Sequence, residues 1–98
     1  MFEVKRPFVK SSASVLEIGI NWSKLIEAGD SIVSSVWSCD SPDIVFSRQQ
    51  IEGSLTSCLI GGGVDQQEYQ VFNTVTTQSG LVDRRFLVVQ IEETQLSS

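Results

Sequence analysis

From Leu16 onward the chain alternates, with Leu16, Ile18 and Ile20 apolar and Glu17 and Gly19 between them, the period of a half-buried first strand. The period then changes. Asn21 is placed to cap a helix, and Trp22, Leu25 and Ile26 fall at helical spacing before Ala28-Gly29, so one or two turns of helix are predicted between two strands. Ser31 to Cys39 reads as a long strand with Val33, Ser35, Trp37 and Cys39 on one face, the face assigned to the core, and Ile32, Ser34 and Val36 on the other. Asp40-Ser41-Pro42-Asp43 is a turn, because Asx and Ser side chains mimic turn hydrogen bonds and Pro presets φ. Ile44 to Ser47 is a short strand, Arg48 to Gly53 a polar excursion, and Ser54 to Ile60 another alternating strand ended by Gly61-Gly62-Gly63. In the segment from Glu68 to Thr77, Tyr69, Val71, Asn73, Val75 and Thr77 share one face, opposite Gln70, Phe72, Thr74 and Thr76. Gln78-Ser79-Gly80 turns the chain into a partner strand, Leu81 to Ile91, with Leu87, Val89 and Ile91 on one side.

Six or seven strands separated by turn signals predict an all-β fold, an antiparallel sandwich of immunoglobulin-like type with one short helical turn. Its domain spans residues 14–92. Residues 1–13 lack sustained periodicity, contain Pro7 and end in Ser11-Ser12-Ala13-Ser14, so they read as an extended N-terminal arm, and residues 93–98 form a polar tail. The predicted core is Trp22, Trp37, Tyr69, Val71, Val75, Leu87 and Val89.

Composition narrows the function classes. A length of 98 residues accommodates one small domain. With 41% hydrophobic and 19% charged residues, and no apolar run long enough to cross a bilayer, the chain is expected to fold and to have no membrane partner. A formal charge of −5 argues against nucleic acid as a partner, since only seven Lys and Arg are available to neutralise phosphates. There is no histidine, which removes the commonest general base and transition-metal ligand, and two cysteines cannot make a zinc site by themselves. No cofactor is expected. The amino terminus lacks the apolar stretch of a secretory signal, so synthesis in a reducing cytoplasm is expected, with Cys39 and Cys58 as free thiols; a bridge between them would need facing strands.

Each candidate for chemistry has a plainer reading. Gly61-Gly62-Gly63 lacks the Lys-Ser/Thr and helix N-terminus of a phosphate loop and reads as a turn. Asp40 with Asp43, and Glu92 with Glu93, lack the dense oxygen-ligand spacing of a calcium loop and read as solvated acids. Either cysteine as a nucleophile would have only Lys5, Lys10 or Lys24 as base. Arg84 and Arg85 are adjacent on a strand and so point to opposite faces, one of them pairing with Asp83 or Asp30 or stacking on an aromatic such as Tyr69. Trp22 and Trp37 sit in apolar periodic context and read as core rather than as sugar-stacking platforms.

The order of landmarks is more specific than any one of them. It runs Ile20-Asn21-Trp22-Ser23, Leu25, Gly29-Asp30-Ser31-Ile32 and Ser34-Ser35-Val36-Trp37, continues through Leu59-Ile60-Gly61-Gly62-Gly63, Tyr69, Val71, Asn73 and Val75-Thr76-Thr77, and closes with Ser79-Gly80 and Asp83-Arg84-Arg85. In this order, from about Lys10 to Ile91, the chain resembles a family of small immunoglobulin-like virion proteins of tailed bacteriophages, the fibre-tail adaptors. Two positions depart from the family's usual pattern, Ile18 where an aromatic is common and Asn21 where an acid is. The resemblance implies a non-enzymatic structural subunit of the virion whose partners are other virion proteins and copies of itself in a symmetric assembly. The residues suggest how it would bind, since Phe2, Val4, Arg6, Phe8 and Val9 of the arm could add a strand to a neighbour's sheet edge or fill a pocket on it. The alternative is an arm that serves only as a mobile tail. Two other functions stay open at this point: a capsid decoration or cement protein, and a carbohydrate-binding module using Trp22 or Trp37.

Overall fold

The computed structural model describes residues 8–93. Seven strands form two sheets: β1 (Phe8–Lys10), β2 (Leu16–Asn21), β3 (Ile32–Cys39), β4 (Ile44–Glu52), β5 (Leu55–Gly62), β6 (Glu68–Thr77) and β7 (Val82–Ile91). One sheet has the order β1-β7-β6-β3 and the other β2-β5-β4. All neighbours are antiparallel except β1, which runs parallel to β7 with Phe8 beside Val89 and Lys10 beside Ile91. Two short antiparallel sheets facing each other, with the last strand between the first and the sixth, are the immunoglobulin-like sandwich expected from the pattern.

The core lies between the sheets. Ile18 and Ile20 of β2, Ile44 of β4 and Cys58 and Ile60 of β5 face Trp37, Tyr69, Val71, Val75, Val89 and Ile91 of the larger sheet, all buried, while Leu87 packs half-buried at their margin. Trp22, which follows β2, is fully enclosed. Tyr69, second residue of β6, accepts a hydrogen bond from the Val64 N–H (2.9 Å) and donates one to Asp43 (3.0 Å), the corner contact that ties the start of this strand to the preceding turn in immunoglobulin-like sandwiches.

Four local readings change in the structure. The helical turn predicted between β2 and β3 is a single hydrogen-bonded loop. The Leu25 and Ile26 N–H groups both donate to the Trp22 carbonyl, and the Asn21 carboxamide accepts from Ser23, but no helix continues from it; a separate turn, closed by the Asp30 N–H on the Glu27 carbonyl, leads into β3. Leu25 and Ile26 fall at helical spacing because both pack on the core from this one turn. In β3 the register shifts between Ile32 and Ser34, so Val33 bulges outward and is exposed, and Ile32 joins Trp37 on the buried face. The polar excursion at residues 48–53 is strand: β4 continues to Glu52 past a bulge between Ser47 and Gln50, with Arg48 at φ +49°, and turns at Gly53 into β5. Likewise β5 runs on through Gly61 to Gly62.

The last part of the expected arm belongs to the sandwich. Phe8–Lys10 is β1, and Lys10 is buried, its ammonium donating to the Ser11 carbonyl (2.6 Å) and to the Gly62 carbonyl of the opposite sheet (2.7 Å). Gly62 is held where β5 ends against the turn before β4. A Cβ there would lie 2.3 Å from the Asp43 carbonyl oxygen at a φ of +79°, so only glycine fits.

Candidate docking surfaces

The polar cluster around Asn73 inside the sandwich is satisfied by its own members. The Trp22 indole N–H points between Thr56 Oγ1 (3.0 Å) and Asn73 Oδ1 (3.1 Å), the Thr56 hydroxyl donates to Asn73 Oδ1 (2.6 Å), and the Asn73 amide donates to Ser35 Oγ (2.9 Å) and the Val36 carbonyl (3.3 Å). This network spans both sheets and serves packing. The Trp37 indole nitrogen is buried with no hydrogen-bond partner among the described residues.

Neither tryptophan offers a ring face to a sugar: Trp22 is 0% and Trp37 4% exposed. That removes the stacking surface on which the carbohydrate-binding reading rested. Cys39 and Cys58 are free thiols, and burial, aided by the Glu17 carboxylate, pushes the Cys58 thiol up to about 12, far from a thiolate at neutral pH. Among the described residues no group of three or more His, Cys, Asp or Glu side chains could hold a metal ion. Two open clefts of about 450 and 490 Å³ lie beside the β6–β7 turn and beside the Asp40–Asp43 turn. In the first, Asp30 accepts hydrogen bonds from the Ser79 N–H and hydroxyl, which hold its carboxyl below the usual range. This contact closes the turn onto the loop before β3.

What faces outward is more informative. Of the candidate partner-binding residues, Phe2, Val4 and Arg6 lie outside the described residues, while Phe8 (43%) and Val9 (51%) are exposed on β1 immediately before the buried Lys10. Burial pulls the Lys10 ammonium down from its usual range and the Glu93 carboxylate partly restores it. Glu93 also accepts hydrogen bonds from the Ser12 N–H and hydroxyl, so the root of the arm is clamped at a second point. Among the described residues, β7 has a strand on its outer side only at Val89–Ile91, leaving Val82–Val88 as open edge.

The outer face of β7, β6 and β3 carries a second feature. Arg84 and Arg85 point to opposite faces as predicted from their adjacency, and both stack on rings: Arg85 inward over Trp22 (4.6 Å), Arg84 outward over Phe72 (4.5 Å), neither over Tyr69. Phe72 pairs with Phe86 across the strands, ring centroids 6.0 Å apart and tilted. Sequence reasoning placed Phe72 on the face opposite Tyr69 but drew no contact surface from it; a phenylalanine among Gln and Thr on a solvent face was the available signal.

This two-sheet sandwich spends the polar cluster around Asn73 on packing and leaves its irregularities at edges and on one outer face, where another protein could reach them. The podophage GP4 fiber-tail adaptor protein gp77 family matches residues 10–90, and the chain belongs to that family, a structural family of phage virions. No curated protein matches it.

Proposed function

We propose that this protein is a non-enzymatic connector that joins neighbouring virion proteins where fibre meets tail, engaging them through its sheet edges and its N-terminal arm. The observation that carries this reading is the anchoring of the arm. Lys10 fixes β1 to both sheets, and Phe8 and Val9 are exposed immediately upstream of it, so force on a partner held by residues before Lys10 passes directly into the rigid body. Backbone groups along an open edge pair with an added strand, and side chains such as Phe2, Val4, Arg6, Phe8 and Val9 select which strand. The family's own description, a fibre-tail adaptor, supports the same role.

The test is removal of residues 1–7 followed by measurement of incorporation into particles. The truncation stops before Phe8 because β1 is part of the sheet. Loss of the protein from particles while the isolated domain stays folded is the expected result. Normal incorporation contradicts a binding role for the arm.

A further inference from the structure

We propose that the outer face of β7, β6 and β3 is a self-complementary surface that pairs with the same face of a second copy of this chain, related by a two-fold axis lying across the strands. This rests on the connector reading only in requiring copies to be neighbours.

The face is built from cross-strand rows. Phe86, Phe72 and Ser38 form one row, Arg84, Thr74 and Val36 the next, and Val82 with Thr76 lies beyond. Val82 is 65%, Val36 53% and Phe86 49% exposed, so an apolar surface is left open in a chain carrying net charge −5. Outward positions alternate with inward ones, so among the described residues this face carries Arg84 toward one end and, at the other, Glu68 with the Glu92 carboxylate that accepts from the Gln90 amide, with the phenylalanine pair between them. Arg84 is paired with Thr74, and Glu68 lies six residues earlier on β6, roughly 20 Å along the strand.

That arrangement is charge-complementary to itself. A two-fold axis perpendicular to the strands, passing midway between the Glu68 and Thr74 positions, sets Phe86 of each copy on Val88 of the other. It brings each Arg84 over the Gln90–Glu68 pair opposite, one strand spacing from the carboxylate. An axis along β6, the middle strand of the face, would instead set Glu68 against Glu68. Charge therefore selects one of the two ways in which this face can meet itself.

Area sets the strength. Three strands about 4.8 Å apart with outward positions about 6.8 Å apart make a flat face of about 400–500 Å², against about 800 Å² per partner in an interface of standard size. Pairing in solution is therefore weak, with a dissociation constant on the order of 100 μM, and becomes firm only when both copies are held in one particle.

The experiment is sedimentation of the full chain up to roughly 1 mM, with Arg84→Glu, Glu68→Arg and the double charge swap; these are surface positions, and circular dichroism checks the fold. The expected result is concentration-dependent dimer, weakened about tenfold or more by each single reversal and restored by the double. A chain that stays monomeric at the highest concentration, or a dimer indifferent to both reversals, overturns the inference. A monomer that nonetheless locates at the fibre attachment of particles overturns this inference alone and leaves the connector reading intact.

Discussion

The indole N–H of Trp22 and the side-chain oxygen of Asn73 lie 3.1 Å apart in the middle of the sandwich, and both residues are fully buried. Asn73 is therefore the joint between the sheets: its oxygen takes Trp22 and Thr56 from the β2–β5 side, and its nitrogen holds β3 through Ser35 and Val36. Replacing Asn73 by Leu leaves the Trp22 N–H only Thr56 Oγ1 as acceptor and strands the Thr56 hydroxyl proton in the core. The expected loss is about 1–3 kcal/mol in denaturant unfolding, the cost of one buried unsatisfied group. Thr56→Val added to it removes the remaining acceptor of the Trp22 N–H, so the two losses are coupled rather than additive, which a double-mutant cycle measures.

Lys10 carries the second joint. Lys10→Met keeps the aliphatic stem but removes the donor shared by the Ser11 and Gly62 carbonyls. The expected cost is about 1–3 kcal/mol, with faster amide exchange along β1 and at Ile91, its neighbour on β7, and little change in β2 or β4. Uniform loss of protection would contradict a local clamp.

Alkaline stability follows from two buried acids. The Cys58 thiol is raised from 9.0 to about 12, and Tyr69 is raised from 10.0, by burial foremost. A raised folded value means the folded state keeps its proton while the unfolded state loses it. Stability is thus full below pH 9 and falls as pH rises toward 12, by up to about 1.4 kcal/mol per pH unit for the Cys58 proton, with Tyr69 acting in the same direction. Lys10 acts in the opposite sense, its lowered value adding stability as pH approaches 10.5. Reversible unfolding measured from pH 8 to 11 should show a net decline that Cys58→Ala makes shallower; an unchanged slope would contradict the burial of this thiol.

The same burial predicts reactivity. At pH 8 iodoacetamide should label half-buried Cys39 well before Cys58, which is 1% exposed. Mass mapping of native protein checks this, and equal labelling of the two would contradict it.

How much of this was legible in the sequence depended on whether a residue's environment was set locally. The faces of β6 and β7 were readable because both strands run unbulged against each other, so Tyr69, Val71, Val75 and Val89 alternate inward without interruption. The face of β3 was half readable: one extra residue, Val33, reverses the alternation, and nothing in Ser31-Ile32-Val33-Ser34 marks the bulge. Arg48 to Glu52 looked like loop because β4 is an edge strand whose exposed positions tolerate polar side chains. Lys10 was illegible for another reason. A lysine between Val9 and Ser11 reads as solvated, and its burial is decided by a carbonyl at Gly62, fifty-two residues away. The outer Phe72–Arg84 stack likewise depends on strand pairing that the linear pattern does not contain.

As a connector between virion proteins, this sandwich would work by contact. Imaging of intact particles at a resolution that traces strands tests it most directly. The seven-stranded domain is expected at the junction of fibre and tail, with residues upstream of Lys10 laid against a neighbouring protein. Finding the domain spread over the capsid shell, or missing from the particle, would contradict it.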